Sequence, residues 1–401
     1  MTSLDTDFVR AQFPAFSEPS LQGKAFFENA GGSYTCGPVI DRLTRFYTQR
    51  KMQPYGPSEP SRLGGAEMDE ACAGLARLLG VEVDEVSFGP STTQNTYVLA
   101  QAFRTFLKPG EAIVVTNQDH EANSGPWRRL AEEGIEVREW QIDPDTGHLD
   151  PAKLEPLLDE NVRLVCFPHC SNVVGEINPV VEVTALAHAA GAFVCVDGVS
   201  YAPHGFPDVA ALGADIYLFS AYKTYGPHQG ILVIRRALGE VLPNQGHHFN
   251  GATLYKRFTP AGPDHAQVAA CAGMVDYVEL LAAHHGVGAG AMHGLMRDQE
   301  VRLLQPLLDA VKGRNAVRLL GPDRAERRAP TVALALNRPA RPVAEALAAR
   351  GIMADGGDFY AQRPLQAMGV DPDQGVLRLS FVHYTSEDEV ARLIAALDEV
   401  L

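Results

Sequence analysis

The chain has 401 residues, of which 46% are hydrophobic and 21% charged, an ordinary globular composition. This length is too great for one compact core, so two domains are expected. The 34 Lys and Arg against 49 Asp and Glu give a formal charge of −15, which argues against nucleic acid or an anionic membrane as partner and favours a small metabolite.

The N-terminal residues contain acids and no apolar core of a signal peptide, so no secretory signal is predicted. No apolar stretch is expected to reach the roughly 18–20 residues that a membrane span requires. The six cysteines are too few, in a chain of this length, for a dense disulfide framework. We therefore expect a protein of the reducing cytoplasm that binds neither a membrane nor nucleic acid.

Short apolar runs and helix-like stretches alternate from about residue 65 to 240. The predicted strands are Glu85–Phe88, Ala112–Thr116, Ile135–Trp140, Arg163–Phe167, Phe193–Val196, Ile216–Phe219 and Ile231–Ile234. A helix is predicted over Val181–Ala190, closed by Gly191. Continuous β-branched runs between helices are typical of an α/β fold with a mostly parallel sheet covered on both faces. Ligands of such sheets bind beyond the carboxyl ends of the strands.

The pattern changes after about residue 260. A helix over His265–Ala283 leads into the Gly-rich stretch His284–Gly294 and a further helix, and strands are predicted at Thr331–Leu336 and Val376–Phe381. Ser386 and Glu389 predict a capping box for a last helix, 386–401. We expect a major domain over residues 21–265, a smaller α+β domain over 266–401, and an N-terminal segment, 1–20, that packs with the smaller domain.

Two charged residues stand at the ends of predicted strands of the major domain. Lys223 lies in an apolar, aromatic and Gly/Pro-rich run. Asp197, 26 positions upstream, lies at the end of the apolar run 192–196. Burial lowers the pKa of a lysine, which an imine-forming lysine requires. An aspartate can hold a pyridine nitrogen protonated while the lysine holds an aldehyde. The pair therefore predicts a site for pyridoxal 5'-phosphate (PLP).

Ser91, Thr92 and Thr93 follow a predicted strand and open a helix, where free N–H groups and the helix dipole favour a phosphate. An ordinary helix cap explains the same residues, but the nearby Lys223 and Asp197 favour a phosphate cradle.

Three further polar residues are candidates for the same site. His120 follows a strand and could lie flat on a pyridine ring and move protons, or be a solvated loop histidine. Asn172 also follows a strand and could bind the phenolic oxygen of the cofactor, or be a plain loop residue. Arg378 lies inside a predicted strand and could hold a substrate carboxylate or form a structural ion pair.

Other patterns are rejected as sites. The glycines Gly286, Gly288 and Gly290 follow a helix and lack the spacing of a dinucleotide loop, so we interpret them as a flexible connection. The pairs His247–His248 and His284–His285 lack partners at ligand spacing, and no metal site is predicted.

Six motifs in this order resemble the class V aminotransferase group of fold-type I PLP enzymes, specifically its cysteine desulfurase-like branch. They are NAGGSYTCGP (29–38), PSTTQN (90–95), DHEANSGPW (119–127), HCSNVVGEINPV (169–180), VDGVSYAPH (196–204) and FSAYKTYGPHQG (219–230). The resemblance covers about residues 20 to 400. It implies the PLP-dependent transferase fold, a small amino-acid substrate, and a homodimer with active sites at the subunit interface.

The resemblance also implies a role for each matching residue. Lys223 becomes the Schiff-base lysine, Asp197 the partner of the pyridine nitrogen and His120 the residue stacked on the ring. Cofactor contacts are further implied for Ser91, Thr92, Thr93, Asn172, Ser200, Ser220 and Tyr222, and substrate contacts for Asn29, Asn172 and Arg378.

The departures from the family pattern bear on the reaction. Cysteine desulfurases carry a nucleophilic cysteine on a loop before the carboxylate-binding arginine, and the corresponding segment 351–365, GIMADGGDFYAQRPL, contains none. Ser200 stands where glutamine is usual, Tyr222 where histidine is common, and Pro263 where a neighbouring-subunit threonine is usual. The cofactor site survives these changes, but persulfide chemistry loses its acceptor.

The leading hypothesis is a PLP-dependent lyase that deprotonates Cα of a small amino acid and expels a β-substituent such as a thiolate or sulfinate, without an enzyme cysteine. The alternatives are a class V aminotransferase, an amino-acid epimerase, and a binding module that has kept the fold. A thiol supplied from an unusual position, Cys36 or Cys170, also stays open.

Overall fold

The computed structural model describes residues 3–314 and 317–401, so the first two residues of the predicted N-terminal segment lie outside the described residues. The helices are α1 Thr6–Ala11, α2 Gly37–Gln49, α3 Glu59–Leu79, α4 Thr92–Phe106, α5 Glu121–Arg128, α6 Val180–Ala189, α7 Val209–Leu212, α8 Arg236–Gly239, α9 Leu254–Arg257, α10 His265–Ala270, α11 Ala272–His285, α12 Ala289–Val311, α13 Ala340–Ala348, α14 Gln362–Ala367 and α15 Glu387–Val400. The strands are β1 Ala25–Phe26, β2 Val86–Gly89, β3 Ala112–Thr116, β4 Glu136–Trp140, β5 Val162–Pro168, β6 Phe193–Asp197, β7 Ile216–Ser220, β8 Gly230–Ile234, β9 Val317–Leu320, β10 Thr331–Leu336, β11 Ile352–Met353, β12 Asp355–Gly357 and β13 Val376–Ser380.

The central sheet has seven strands in the order β2-β8-β7-β6-β5-β3-β4. Strands β7, β6, β5, β3 and β4 pair in parallel, whereas β8 is antiparallel to both of its neighbours. The seven predicted strands of this region are confirmed to within one residue at each end, and so is the mostly parallel α/β sheet.

Both faces of this sheet are buried, which explains why its strands are apolar without a break. Along β5, Val165 and Phe167 face a core shared with α3 and α11, whereas Leu164 and Cys166 face a core shared with α4 and α5. Helices therefore cover the sheet on both sides, and polar groups are left for the ends of the strands.

The smaller sheet is antiparallel in the order β12-β13-β10-β9 and packs with α12, α13 and α15 around a separate core. The predicted strand Thr331–Leu336 is confirmed. The predicted strand Val376–Phe381 is also present, but it ends one residue earlier, at Ser380. Strand β12 was not predicted, because its sequence Asp-Gly-Gly has no β propensity and is extended only through pairing with β13. The capping box is confirmed, since Ser386 Oγ accepts from Glu389 N at 3.2 Å.

The Gly-rich connection that the sequence predicts between two helices is shorter than expected, because only residues 286–288 separate them and Gly290 is not part of it. Helix α11 extends to His285 and α12 begins at Ala289, so that Gly290 and Gly294 are helical. Each helical glycine costs about 1 kcal/mol relative to alanine. Burial of Met292 and Met296 on the same helix offsets that cost, and local propensity alone could not reveal it.

The prediction that no apolar stretch is long enough for a membrane span is wrong by length and composition. The 21-residue segment His265–His285, which comprises α10 and α11, contains an 18-residue window with a mean hydropathy of 1.3. Within the fold, 72% of the residues of that apolar window are buried, and the segment packs against α2 and α3. Its apolar character is thus used in the core of the described structure.

The N-terminal segment lies against helices of the C-terminal half. Arg10 NH1 bonds Glu389 Oε2 of α15 at 2.7 Å, and the Phe8 ring stacks on His284 with centroids 3.6 Å apart. Phe13 is 1% exposed and makes edge-on contacts with Tyr277 and Tyr384. The domain limits at residues 20 and 265 stay a prediction.

The Phe13 contacts predict a large loss of stability on truncation. Phe13→Ala should lower the free energy of unfolding by about 3–5 kcal/mol, because a buried aromatic ring leaves a cavity. Urea unfolding of the apoprotein measures this, with Val181→Ala as control, since Val181 is 58% exposed on α6. Equal midpoints for the two variants would contradict a structural role for the N-terminal segment.

Candidate functional site

The candidate site lies at the carboxyl ends of the parallel strands, where most of the predicted residues meet. Asp197 is the last residue of β6, and Lys223 lies in the helical turn directly after β7. One cavity is lined by Thr92, Thr93, His120, Ala122, Pro168, Cys170, Asn172, Asp197, Val199, Ser200, Ser220, Tyr222 and Lys223. Of the predicted residues, Asn29, Ser91 and Arg378 are not among those that line it.

The amine of Lys223 is tuned towards neutrality. The pKa of Lys223 is lowered to about 8, mainly by burial and also by the charge of Arg378, while Asp197 and Glu28 act in the opposite direction. A lysine with this pKa has an unprotonated fraction near neutral pH that an exposed lysine lacks. That fraction can attack an aldehyde or accept a proton.

Asp197 is the buried acid of the cavity. Burial raises its pKa to about 6, opposed by a hydrogen bond from Val199 N to Oδ1 at 2.8 Å and by the charge of Lys223. A buried carboxylate gains from a cation placed against it. A protonated pyridine nitrogen would supply that cation, and the carboxylate would in turn hold the nitrogen protonated.

The amino end of α4 forms the predicted phosphate cradle. Thr92 Oγ1 and Ser220 Oγ lie 2.7 Å apart, and Thr93 also lines the cavity. The Ser91 hydroxyl instead accepts from Gln94 N at 3.1 Å, so its side chain is the helix cap that the sequence left as the alternative. The free N–H groups of this 15-residue helix and two hydroxyls thus face one point.

Gly230 is a residue of the cradle that sequence reasoning missed. It is the first residue of β8 and pairs with Gly89 of β2 and Ser220 of β7. A Cβ at this position would lie 2.6 Å from Thr92 N and 2.4 Å from the carbonyl carbon of Ser91. Only a glycine therefore lets the start of α4 approach β8 so closely. Its place at the end of the motif that contains Lys223 was the available signal.

His120 caps α5 and stays neutral. Its Nδ1 accepts from Ala122 N at 3.0 Å, which leaves the proton on Nε2. The pKa of His120 is lowered to about 3, mainly by burial and also by the cations Lys223 and Arg378. A neutral imidazole in this position suits stacking on an aromatic ring better than it suits accepting a proton at neutral pH.

Asn172 lines the cavity, Arg378 lies next to Asn172, and both have polar atoms without a partner. Arg378 NH1 donates to Asn172 O at 3.4 Å, and the guanidinium carbon lies 3.8 Å from the centre of the Phe359 ring. Within the described residues, Arg378 Nε and Asn172 Oδ1 are buried without a hydrogen-bond partner. Buried polar atoms are rarely left unpaired, so this pair indicates a missing ligand.

Asn29 and Tyr222 are held by the protein itself. Asn29 Nδ2 donates to Ser380 O at 3.3 Å and its Oδ1 accepts from the Tyr384 hydroxyl. Tyr222 lines the cavity and stacks on His228 with ring centroids 4.8 Å apart. The polar groups of Asn29 are therefore committed to joining the segment after β1 to β13.

The two cysteines that the sequence left open as thiol donors, Cys36 and Cys170, are both unsuited to act as thiolates. Burial raises the pKa of Cys36 to about 12, and burial likewise raises that of Cys170 to about 12. Cys170 lines the cavity, but its Sγ lies 3.3 Å from Gly175 O as a donor. A protonated thiol is neither a nucleophile nor a persulfide acceptor.

Taken together, these residues fit PLP. A lysine of lowered pKa, a buried carboxylate, a neutral imidazole and a helix amino end with hydroxyls line one cavity, and each matches one part of the cofactor. The unpaired Arg378 Nε lies outside the cofactor set, as expected of a group that meets the substrate.

The family profile described as aminotransferase class-V matches residues 25–393. The chain is 33% identical to a cysteine desulfurase of Serratia proteamaculans, with 99% of this chain and 98% of that protein covered. It is 32% identical to the aminotransferase-like protein FGM3 of Gibberella zeae, with 100% and 99% covered.

Solved structures share the fold. The apo structure of a cysteine desulfurase from Thermococcus onnurineus superposes with a TM-score of 0.88 at 24% identity, covering 100% of this chain and 98% of that one. The cysteine desulfurase CsdA of Escherichia coli gives 0.85 at 24%, covering 99% and 98%. The PLP-dependent transferase fold predicted from the motifs is confirmed. The chain belongs to the class V aminotransferase family, a family of enzymes that depend on pyridoxal 5'-phosphate.

Proposed function

We propose that this chain is a PLP-dependent lyase that removes a β-substituent from a small amino acid without an enzyme cysteine. One observation carries the proposal: the PLP site is complete around Lys223, yet the chain has no cysteine after Cys271. Burial raises the pKa of both Cys36 and Cys170, so these two side chains stay protonated thiols. The chemistry must therefore proceed at Cα and Cβ of the substrate.

The residues of the cavity divide the work between them. PLP supplies an electron sink for negative charge that develops at Cα. Lys223, with its pKa lowered to about 8, accepts the Cα proton and can return it. Asp197 would hold the pyridine nitrogen protonated, and the neutral imidazole of His120 would be available to stack on the ring.

The substrate carboxylate is assigned to Arg378 and Asn172. Arg378 is 4% exposed and carries an unpaired Nε–H donor, so a carboxylate oxygen would complete its hydrogen bonds. The charge of Arg378 also lowers the pKa of Lys223, which supports placing the substrate between these two cations. A substrate whose carboxylate is bound by Arg378 would therefore have its Cα close to Lys223.

The overall reaction balances without a thiol. The Cα proton goes to Lys223, the electron pair of that bond forms a Cα–Cβ double bond, and the leaving group departs with the Cβ–X pair. Addition of water then gives a keto acid and ammonia. Amino acid plus water becomes keto acid, ammonia and HX, with no external oxidant or reductant.

Transamination is the second candidate, because the FGM3 relative is named aminotransferase-like and the same residues can serve that reaction. It differs in where the proton is returned, to the cofactor instead of to a product. Epimerisation would return the proton to Cα. The residues that bind, orient and deprotonate are shared by all three, and the products distinguish them.

The first prediction concerns the imine. Wild-type protein with PLP should show a visible absorption band, and Lys223→Ala should abolish or shift it, because the amine that forms the imine is lost. Lys153→Ala is the matched control, since Lys153 is exposed. A band that is the same in Lys223→Ala and in wild type contradicts the assignment.

The second prediction concerns pH. Because neutral amine is required, the rate of PLP capture by the apoprotein should rise with pH and level off above about 8. Arg378→Leu removes a nearby cation, so the pKa of Lys223 should rise and the inflection should move to higher pH. Stopped-flow absorbance measures the rate, with Arg338→Leu, an exposed site, as control. An unmoved inflection in Arg378→Leu would mean that the two cations do not interact.

The third prediction concerns products. An amino-acid panel analysed by mass spectrometry should yield keto acid, ammonia and the released β-substituent. Pyridoxamine phosphate would indicate an aminotransferase, and deuterium at Cα of recovered substrate an epimerase. Cys36→Ser and Cys170→Ser should keep substituent release within about threefold of wild type, because neither thiol ionises. A selective loss in either variant, with PLP still bound, would restore a role for that thiol.

A further inference from the structure

Two aromatic residues next to the cavity have a backbone conformation that such residues rarely adopt. Phe359 and Tyr360 follow β12 in succession, with φ of +52° and +56°. Left-handed backbone is strained for a bulky residue and persists only where the surroundings impose it. Such strain is concentrated at functional sites, and the contacts of these two residues show what imposes it here.

Both residues are held to the walls of the cofactor cavity through their carbonyl oxygens. Phe359 O accepts from Asn172 Nδ2 at 3.0 Å, and Tyr360 O accepts from Glu121 N at 2.9 Å. Asn172 lines the cavity, and Glu121 directly follows His120, which also lines it. The left-handed pair is thus fixed between the small sheet and the major sheet, across the candidate site.

The two rings cover different sides of the substrate position. The Phe359 ring lies 3.8 Å from the guanidinium carbon of Arg378, which fixes one face of that side chain. The Tyr360 ring lies 5.5 Å from the His120 ring and is 73% exposed. A substrate carboxylate on Arg378 with Cα near Lys223 leaves its side chain in the space that these rings border.

We infer that Phe359 and Tyr360 form an aromatic wall that selects amino acids with a short, unbranched side chain. This inference rests on the proposed function, because it takes an α-amino acid as the ligand. The interior of the cavity is occupied by groups that serve the cofactor, namely Asp197, Ser220 and Thr92. The Phe359 and Tyr360 rings border the side of the cavity next to Arg378 and His120, so a large substrate side chain on that side would have to displace them.

The ring of Tyr360 can be removed without adding strain. Tyr360→Gly deletes the ring and suits the left-handed backbone, so the segment should keep its fold. The readout is the shift of the cofactor absorbance band on titration with alanine or cysteine as small ligands and leucine or phenylalanine as large ones. This measures binding and is independent of which products form.

Wild type should bind the small amino acids and discriminate against the large ones. In Tyr360→Gly the preference for small over large ligands should fall by about 10–200-fold, the range that a pocket wall provides. Phe359→Ala should also weaken the binding of small ligands, because Arg378 loses its support. Tyr47→Ala, an exposed aromatic on α2, should match wild type throughout.

The outcomes separate the two proposals. An unchanged preference in both Tyr360→Gly and Phe359→Ala overturns the wall, as does a wild-type enzyme that binds large and small amino acids equally. Binding with the predicted preference but without release of a β-substituent leaves the wall in place and overturns the lyase. A band that no amino acid shifts overturns both.

Discussion

The arrangement of buried charges in and beside one cavity is the constraint on which the rest of the site depends. Lys223 and Arg378 are cations, Asp197 is the acid at the end of β6, and all three are less than one tenth exposed. Burial opposes every charge, and the two cations oppose each other, so the pKa of Lys223 falls and that of Asp197 rises. This distribution of buried charge is complementary to a cofactor that carries a phosphate and a ring nitrogen.

The fold brings these groups together by covering both faces of the sheet. Because helices bury the strands on each side, the carboxyl edge is the place where polar side chains can gather. The cradle depends on a close approach of α4 to β8, which Gly230 permits. The small sheet adds Arg378 from β13, so the substrate end of the site requires both halves of the chain.

The reaction is constrained as much by the cysteines as by the cofactor residues. The segment 351–365 that precedes Arg378 contains Phe359 and Tyr360 and no thiol. These aromatics are strained, anchored and in contact with Arg378 and His120, which is the behaviour of residues that shape a site. The same segment can therefore account both for the proposed loss of persulfide chemistry and for the proposed preference for small side chains.

The sequence by itself determined the central sheet, the family and the cofactor, because these rest on local patterns: continuous β-branched runs, six motifs in order, Asp197 at the end of a strand and Lys223 directly after one. Only the tertiary structure decided which atoms are free. It showed Ser91 and Asn29 occupied by other partners, Arg378 Nε unpaired, the glycines of α12 helical, and Phe359 and Tyr360 fixed across the site. These properties depend on contacts between residues far apart in the chain, and a local sequence pattern carries no record of such contacts.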